Sequence, residues 1–339
     1  MHEEAEGKKS NGGPATIYDI AKLAGVNPST VSRALTTPGR ISAKTEAKIR
    51  AAAEELNYRV NPFARALPTG RTKLIAFTIA DITNPVFFDL VRGAEQVAGE
   101  AGYTLVLAES QESSTQEAST LARILPMVDG VVMGTTRLSD EEIQQLNREK
   151  PVVLANRIVD GVADVVPNIE PGLHEAVAHL AQLGHRHIAY LSGPTSSWMN
   201  TRRWHIVMQS ALALGLTVVE IGPNAPTLAT GAESLDRIRA AGVTAVITYN
   251  DLMAIGLLRR AAEANISVPA ELSIIGFDNS FGSDFTTPPL TTVHQPLSEV
   301  GARAVSAMLD ILEGRTNSAD QAEIVTRLLE RGSTTRAAS

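Results

Sequence analysis

The chain has 339 residues, 44% of them hydrophobic and 20% charged, with a formal net charge of −7. That length suits roughly two to three domains of about 100–200 residues, and the composition is that of a globular chain with a sizeable core. There is no cysteine, which excludes a disulfide scaffold, a thiolate metal site and a thiol nucleophile. No apolar run approaches the ~20 residues needed to span a bilayer. The charge is unevenly placed. Residues 1–73 hold 12 Lys+Arg against 7 Asp+Glu, a net of +5, while the remainder nets −12. A basic head on an acidic body is the electrostatic footprint of a nucleic-acid module joined to something else.

Residues 1–14, MHEEAEGKKSNGGP, are polar and Gly-containing without an apolar signal-peptide core, and read as a disordered leader. The spacing then predicts a helix from Thr16. Thr16 and Asp19 make a capping-box-like start before the apolar stripe Ile17, Ile20, Ala21 and Ala24, and Gly25 supplies a C-terminal cap. Asn27 is placed to cap a second helix, with Pro28 in its first turn and Val31 and Leu35 facing inward. Ser29, Thr30, Ser32 and Arg33 are left for the outside. Two short helices joined by a three-residue turn form a helix-turn-helix, whose second member enters a major groove. A third helix and a short hinge helix complete the segment to Leu67.

From Leu74 the pattern changes. Short apolar runs (LIAFTIA, YTLVLAES, GVVMG, PVVLAN, HIAYLSG, TVVEI, TAVITY, ELSIIGF) alternate with amphipathic stretches near 86–101, 115–126, 139–148, 171–183, 199–214, 231–240 and 251–264. This alternation predicts parallel sheets covered on both faces by helices. Some 250 residues would overfill one sheet, so two Rossmann-like lobes are expected. Ligands of such sheets sit at the carboxyl ends of the strands, here the cleft between lobes. The loops there hold Asn84 and Phe87, Asn156 and Arg157, Arg203, Asn250 with Asp251, Asp278, and Gln295. Amide, carboxylate and guanidinium groups form paired hydrogen bonds to vicinal hydroxyls while an aromatic covers a ring face. Trp198 is a candidate second wall, or packs at the lobe interface. His174, His179, His185 and His187 lack metal-ligand spacing and read as capping and packing residues. The motifs GxSxG, GxGxxG and a P-loop are absent, no carboxylates form an acid/base pair, and Thr195–Ser197 read as a helix start.

Several motifs in order carry a family resemblance: YDIAKLAGV-PSTVSRAL, AAEELNYR-N-ARAL, NPVFFDLVRGAE, HLAQLGHRHIAYLSGP, YNDLMAIGLLRRA and ELSIIGFDN–PPLTTVHQP. Together they resemble the lactose-repressor (LacI/GalR) family of bacterial transcription factors over nearly the whole chain. The resemblance implies an α/β chain: an N-terminal all-α helix-turn-helix DNA-binding domain, then a two-lobed, type I periplasmic-binding-protein-like domain of parallel Rossmann-like sheets. It implies DNA contacts from Thr16, Tyr18, Pro28, Ser29, Thr30, Arg33, Arg40, Tyr58, Asn61, Ala64 and Leu67. Of these, Pro28, Ser29 and Arg33 fall at base-reading positions, and Tyr18, Arg40 and Tyr58 near phosphates. Asn61 to Leu67 would form the hinge helix, with Leu67 as a minor-groove wedge. Val60 replaces a usual proline, Pro62 follows Asn61 directly, and Thr36-Thr37 replace a common Asn pair, which bears on half-site preference. The cleft set resembles that of ribose-type sugar-binding proteins, with Val86 in place of an aromatic wall and Asn156 in place of an aspartate.

The expected boundaries are a leader at 1–14, the helix-turn-helix domain at 15–60, a hinge and linker at 61–73, the effector and dimerisation domain at 74–333 and a tail at 334–339. Within the body the N-lobe takes about 74–167 and 296–322, and the C-lobe about 168–295 and 323–333, with crossovers near 167, 295 and 323. The expected function is a cytoplasmic, non-enzymatic, ligand-responsive transcription regulator, a repressor. It would act as a homodimer on double-stranded, pseudo-palindromic operator DNA, with no cofactor, metal or membrane partner. Ligand would favour one lobe arrangement and alter the spacing of the hinge helices. No leucine heptads follow EIVTRLLERGSTTRAAS, so a dimer rather than a tetramer is expected. The expected effector binds at Asn84, Phe87, Asn156, Arg157, Trp198, Arg203, Asn250, Asp278 and Gln295. It is a small neutral sugar or polyol, with nucleosides or purines and sugar phosphates as alternatives. A solute-binding transport protein shares the body fold, but the basic head argues against it.

Overall fold

The computed structural model describes residues 15–36, 40–58, 70–315 and 322–337. The chain divides into two compact units, residues 1–72 and 73–339.

Among its described residues the first unit holds three helices: α1 (Ile17–Ala24), α2 (Pro28–Thr36) and α3 (Ala43–Glu55). Thr16 caps α1. Its hydroxyl accepts from the Asp19 amide, and the Asp19 carboxylate accepts from the Thr16 amide at 2.8 Å. The Thr16 hydroxyl, which also donates to the Asp19 carboxylate at 2.7 Å, and the Thr16 amide together hold that carboxyl below its ordinary range. Gly25 closes the helix with φ of 66°, a conformation that glycine adopts without a Cβ clash. Ile20, Ala21, Val31, Ala34, Ile49 and Ala52 form the small core, with Leu35, Ile41 and Tyr58 packed at its edge.

The second unit contains two sheets. The first runs β2 (Thr104–Glu109), β1 (Leu74–Ile79), β3 (Gly130–Met133), β4 (Val152–Ala155) and β5 (Ala163–Val165), all parallel. In β1, Ile75, Phe77 and Ile79 face α4 (Val86–Glu100) and α12 (Leu297–Glu313). Leu74 and Ala76 face the other way, into the core under α5 (Ser114–Ile124) and α6 (Asp140–Glu149). Both faces are covered, so the strand is an unbroken apolar run rather than an alternating one.

The second sheet runs β11 (Arg327–Leu329), β10 (Thr291–His294), β9 (Ser273–Asp278), β8 (Ala245–Thr248), β6 (His187–Leu191) and β7 (Thr217–Ile221), with only β11 antiparallel. Buried residues of α7 (Glu170–Gln182) and α8 (Trp198–Ala213) pack on Ile188, Tyr190, Ile247, Ile275 and Phe277. α9 (Leu228–Glu233), α10 (Leu235–Ala240) and α11 (Asp251–Glu263) follow β7 and β8, and the core under α10 and α11 contains Leu191, Val246 and Ile274.

The chain passes between sheets three times: after β5, between β10 and α12, and before β11. Two passes lie side by side, where the Asn168 amide donates to the Ile324 carbonyl at 2.7 Å and the Thr326 amide to the Asn168 carbonyl. α12 returns to the first lobe and lies against α4 so closely that a methyl at Gly93 would strike the Ser298 carbonyl, and one at Gly301 the Leu90 carbonyl. β5, β10, α12 and β11 lie beyond the elements expected from periodicity. β5 and β11 have three residues each, β10 is half threonine, and small residues such as Gly301, Ala304 and Ala307 blur the stripe of α12. The expected tail also differs. The Thr335 amide donates to Ser273 Oγ and the Ala337 amide to the Leu183 carbonyl, so residues 334–337 are stitched to the second lobe.

Candidate nucleic-acid interface and inter-lobe cleft

On the first unit, Val31 and Ala34 are buried while Ser29 and Arg33 on the opposite face of α2 are exposed. Pro28 and Thr30 are half-buried, Arg40 is exposed and Tyr18 is 74% exposed. A tyrosine ring left that open on so small a unit is available to a partner. Thr16 is exposed, but its hydroxyl is committed to Asp19. Tyr58 is half-buried and packs against the three-helix core. Asn61, Ala64 and Leu67 lie outside the described residues, as do Val60 and Pro62.

Between the two lobes of the second unit lies a cleft of about 700 Å³, its open mouth included. Asn84, Phe87, Asn156, Arg157, Trp198, Arg203, Asp278 and Gln295 line it. Asn250 does not. It caps α11, accepting from the Met253 amide at 3.0 Å, and its amide donates to the Pro226 carbonyl. An asparagine preceding a helix has this capping alternative, and here it prevails over ligand contact. The cleft also contains residues that the sequence pattern did not single out: Glu112, Thr135, Thr136, Arg137, Ser197, Met199, Pro226 and Tyr249. Tyr249 ends the apolar run TAVITY next to Asn250, and that position was the available signal. Glu112 and Arg137 come from loops whose convergence no local pattern announces.

The second lobe supplies a buried guanidinium. Arg203, 5% exposed, reaches from α8 beneath the cleft. It donates to the Tyr249 carbonyl at 2.5 Å and to Asp278 Oδ1 at 3.3 Å, and its guanidinium lies 3.6 Å from the Phe277 ring centroid. Burial pushes the Asp278 carboxyl up to about 7, against the pull of Arg203. Asp278 has φ of 114° and Asn279 φ of 54°. Non-glycine residues in this region cost on the order of 1–3 kcal/mol each and persist where the surroundings enforce them. Ser197 caps α8 and its hydroxyl lies 3.1 Å from that of Tyr249. Trp198 stands half-buried at the start of α8 beside Arg202, 5.6 Å from its ring.

In the first lobe each arginine of the cleft also has a carboxylate. Arg157 pairs with Asp140 at 2.6 Å and donates to the Leu138 carbonyl. Arg137 pairs with Glu112 at 2.5 Å. Asn156, at φ of 64°, accepts from the amide of Gln295 at 2.8 Å, joining the end of β4 to a crossover. Three buried polar atoms of cleft residues have no protein partner: Thr135 Oγ1, Arg157 Nε and Arg203 Nε. Such groups are stabilised by water or a ligand.

His179 and His185 serve packing, whereas His174 and His187 are exposed. His185 Nε2 donates to the Thr335 carbonyl and its Nδ1 lies 2.7 Å from the Thr244 hydroxyl; His179 Nε2 lies 2.9 Å from that of Thr334. Among the described residues no group of three or more metal-ligating side chains converges, and no helix is long and apolar enough to cross a membrane.

Comparison with known proteins agrees with both units. Residues 16–61 match the model of bacterial regulatory proteins of the lacI family, and residues 177–334 match the periplasmic binding protein-like domain. The chain is similar to the HTH-type transcriptional repressor CytR of Escherichia coli (strain K12), with 30% identity over 94% of this chain and 96% of that one. It is 32% identical to the ribose operon repressor of the same strain, over 94% of this chain and 99% of that one. The crystal structure of the lac repressor dimer bound to operator and the anti-inducer ONPF matches with a TM-score of 0.85 at 26% identity, covering 95% of this chain and all of that one. With a helix-turn-helix unit, a two-lobed body and relatives aligned along nearly their full lengths, the chain belongs to the lacI family of bacterial regulatory proteins.

Proposed function

We propose that this chain is a cytoplasmic repressor that binds a pseudo-palindromic operator as a homodimer and is controlled by a small neutral polyhydroxylated molecule in the inter-lobe cleft. The DNA reading rests on the exposed face of α2, with Ser29 and Arg33 at base edges, and on Tyr18 and Arg40 near phosphates. Asn61, Ala64 and Leu67 belong to the hinge, with Leu67 as the minor-groove wedge. Effector and operator are then coupled as separate sites on one molecule. For dimerisation, Ile82, Phe88 and Leu107 leave an apolar patch on the first lobe; Phe88 is 51% exposed. Patches of this kind mark interaction sites.

The observation that carries the effector reading is the pairing of every cleft arginine. Arg137, Arg157 and Arg203 each meet a carboxylate, Glu112, Asp140 and Asp278 respectively. A phosphate ester would want uncompensated positive charge. The unpartnered Thr135 Oγ1, Arg157 Nε and Arg203 Nε instead suit hydroxyls. A second reading, a nucleoside, is favoured by one specific feature. Tyr249 joins Phe87 and Trp198 along the cleft, giving a planar base more aromatic surface to stack on. Calorimetric titration against pentoses, hexoses, cyclitols, nucleosides and sugar phosphates tests this. Tightest binding of a sugar or cyclitol, with altered operator affinity, supports the reading; tightest binding of a phosphate ester or purine refutes it.

A further inference from the structure

We infer that Asp251, which does not line the cleft, is the positioning residue that aims Asp278 into it. This rests on the effector reading above and deepens it. Asp251 is the first residue of α11 and is wholly buried. Its two carboxylate oxygens hold two different elements. Oδ2 accepts from the Ser280 amide at 2.7 Å and from the Ser280 hydroxyl at 3.3 Å, while Oδ1 accepts from the Thr292 hydroxyl at 2.6 Å. Ser280 closes the turn that begins at Asp278, and Thr292 lies on the neighbouring strand β10. The carboxylate therefore bridges the helix start, the strand and the turn.

The turn needs such a brace. Asp278 and Asn279 are consecutive non-glycine residues with positive φ, which an unsupported chain would abandon. Further contacts hold Asn279: Arg331 donates to its Oδ1 at 2.6 Å, its backbone amide donates to the Thr292 hydroxyl at 3.3 Å, and its side-chain amide lies 3.4 Å from His294 Nδ1. The strand also makes room for the brace. A Cβ at position 276 would collide with Asp251 Oδ1, so Gly276 admits the carboxylate. None of these bonds reaches the cleft itself. Their common effect is the direction of Asp278, whose carboxylate meets Arg203.

The two carboxylates also sense each other. Asp251 raises the pKa of Asp278, and Arg203 lowers it. The buried Tyr190 hydroxyl faces Arg203 and Asp278, Arg331 faces Asp251, and His294 lies beside Asn279. Replacing Asp251 by Asn removes a nearby negative charge, but once Asp278 leaves Arg203 the larger, lowering influence is lost as well, and Asp278 should titrate at higher pH. The replacement also sets an amide or a weaker acceptor against the Ser280 N–H, so the turn should relax.

The test is the full-length Asp251→Asn chain, studied by ¹³C-carboxyl NMR with aspartate labelling and by crystallography. The Asp278 resonance is assigned by its loss in Asp278→Asn. The expected result is a turn in which Asp278 no longer contacts Arg203, with the Asp278 midpoint raised, because the pull of Arg203 that is lost exceeds the push of Asp251 that is removed with it. An unchanged turn, with Arg203 and Asp278 still 3.3 Å apart, overturns the inference whatever happens to the midpoint. Thr292→Val keeps the Asp251 charge and strips one of its donors together with the acceptor of the Asn279 amide. It is expected to displace the turn in the same direction by a smaller amount, and wild-type geometry there overturns the inference if Asp251→Asn does not fold. Titration of both variants with D-ribose, D-glucose and myo-inositol separates the positioning role from the effector class. A sugar or cyclitol that binds wild type should lose at least tenfold in affinity. Binding of none of the probes by wild type counts against the effector class, while the NMR midpoint and the crystallographic turn still decide the role of Asp251.

Discussion

Replacing Arg33 by Ala should weaken operator binding without disturbing the fold. Arg33 lies in the last turn of α2 on the exposed face, and no ion pair involves it among the described residues. Its removal exposes no core, because Val31 and Ala34 make the contacts on the buried side. The stability cost is confined to its favourable position near the helix C-terminus, about 0.3–1 kcal/mol. On DNA the loss is larger. A bidentate base contact is worth about 1–3 kcal/mol of discrimination, which at 1.4 kcal/mol per decade is roughly 5- to 150-fold in Kd. The assay is fluorescence anisotropy on an operator selected from random duplexes by the wild-type chain, beside an unrelated duplex, across a salt series. A base contact predicts loss on the operator alone. Equal loss on both duplexes, with a salt slope smaller by about 0.9, would make Arg33 a phosphate contact instead. Unchanged operator affinity would refute the placement of α2 in the groove.

Arg203→Ala should abolish the response to effector, since it removes the cleft guanidinium that meets Asp278; calorimetric titration reads the response, and a wild-type response would remove Arg203 from the site. The pH dependence has a defined sign. The folded pKa of Asp278 is raised from 3.8 to about 7, so the native state holds a proton that the unfolded chain has released. Stability therefore falls as pH rises between those values, by about 1.4 kcal/mol per unit for one group. Asp278→Asn should gain on wild type across that window in denaturant titrations, and a constant difference from pH 4 to 7 would contradict the shift. Phe88→Glu should convert the dimer to monomer in sedimentation velocity, and an unchanged sedimentation coefficient would move the interface away from the Ile82, Phe88 and Leu107 patch.

The amino-acid sequence by itself determined the local grammar of this protein. Thr16 with Asp19, Gly25 and Ser197 act through bonds within a few residues, so the starts and stops of α1 and α8 were legible. The double-sided burial of β1 and β9 was legible as unbroken apolar runs, and with it the cleft at their carboxyl ends. Only the tertiary structure decided how polar groups share partners. Asn250 and Asp251 are neighbours of the same turn-forming type, yet one is a helix cap and the other a buried brace, because the donors that settle it come from Ser280 and Thr292, far along the chain. Glu112 and Arg137 become a cleft pair across 25 residues, and the small-residue helix α12 returns to the first lobe through glycine-permitted contact with α4. Hydrophobic period and capping are short-range and survive in any reading of the chain. Hydrogen-bond partners and charge neutralisation depend on which loops the fold brings together.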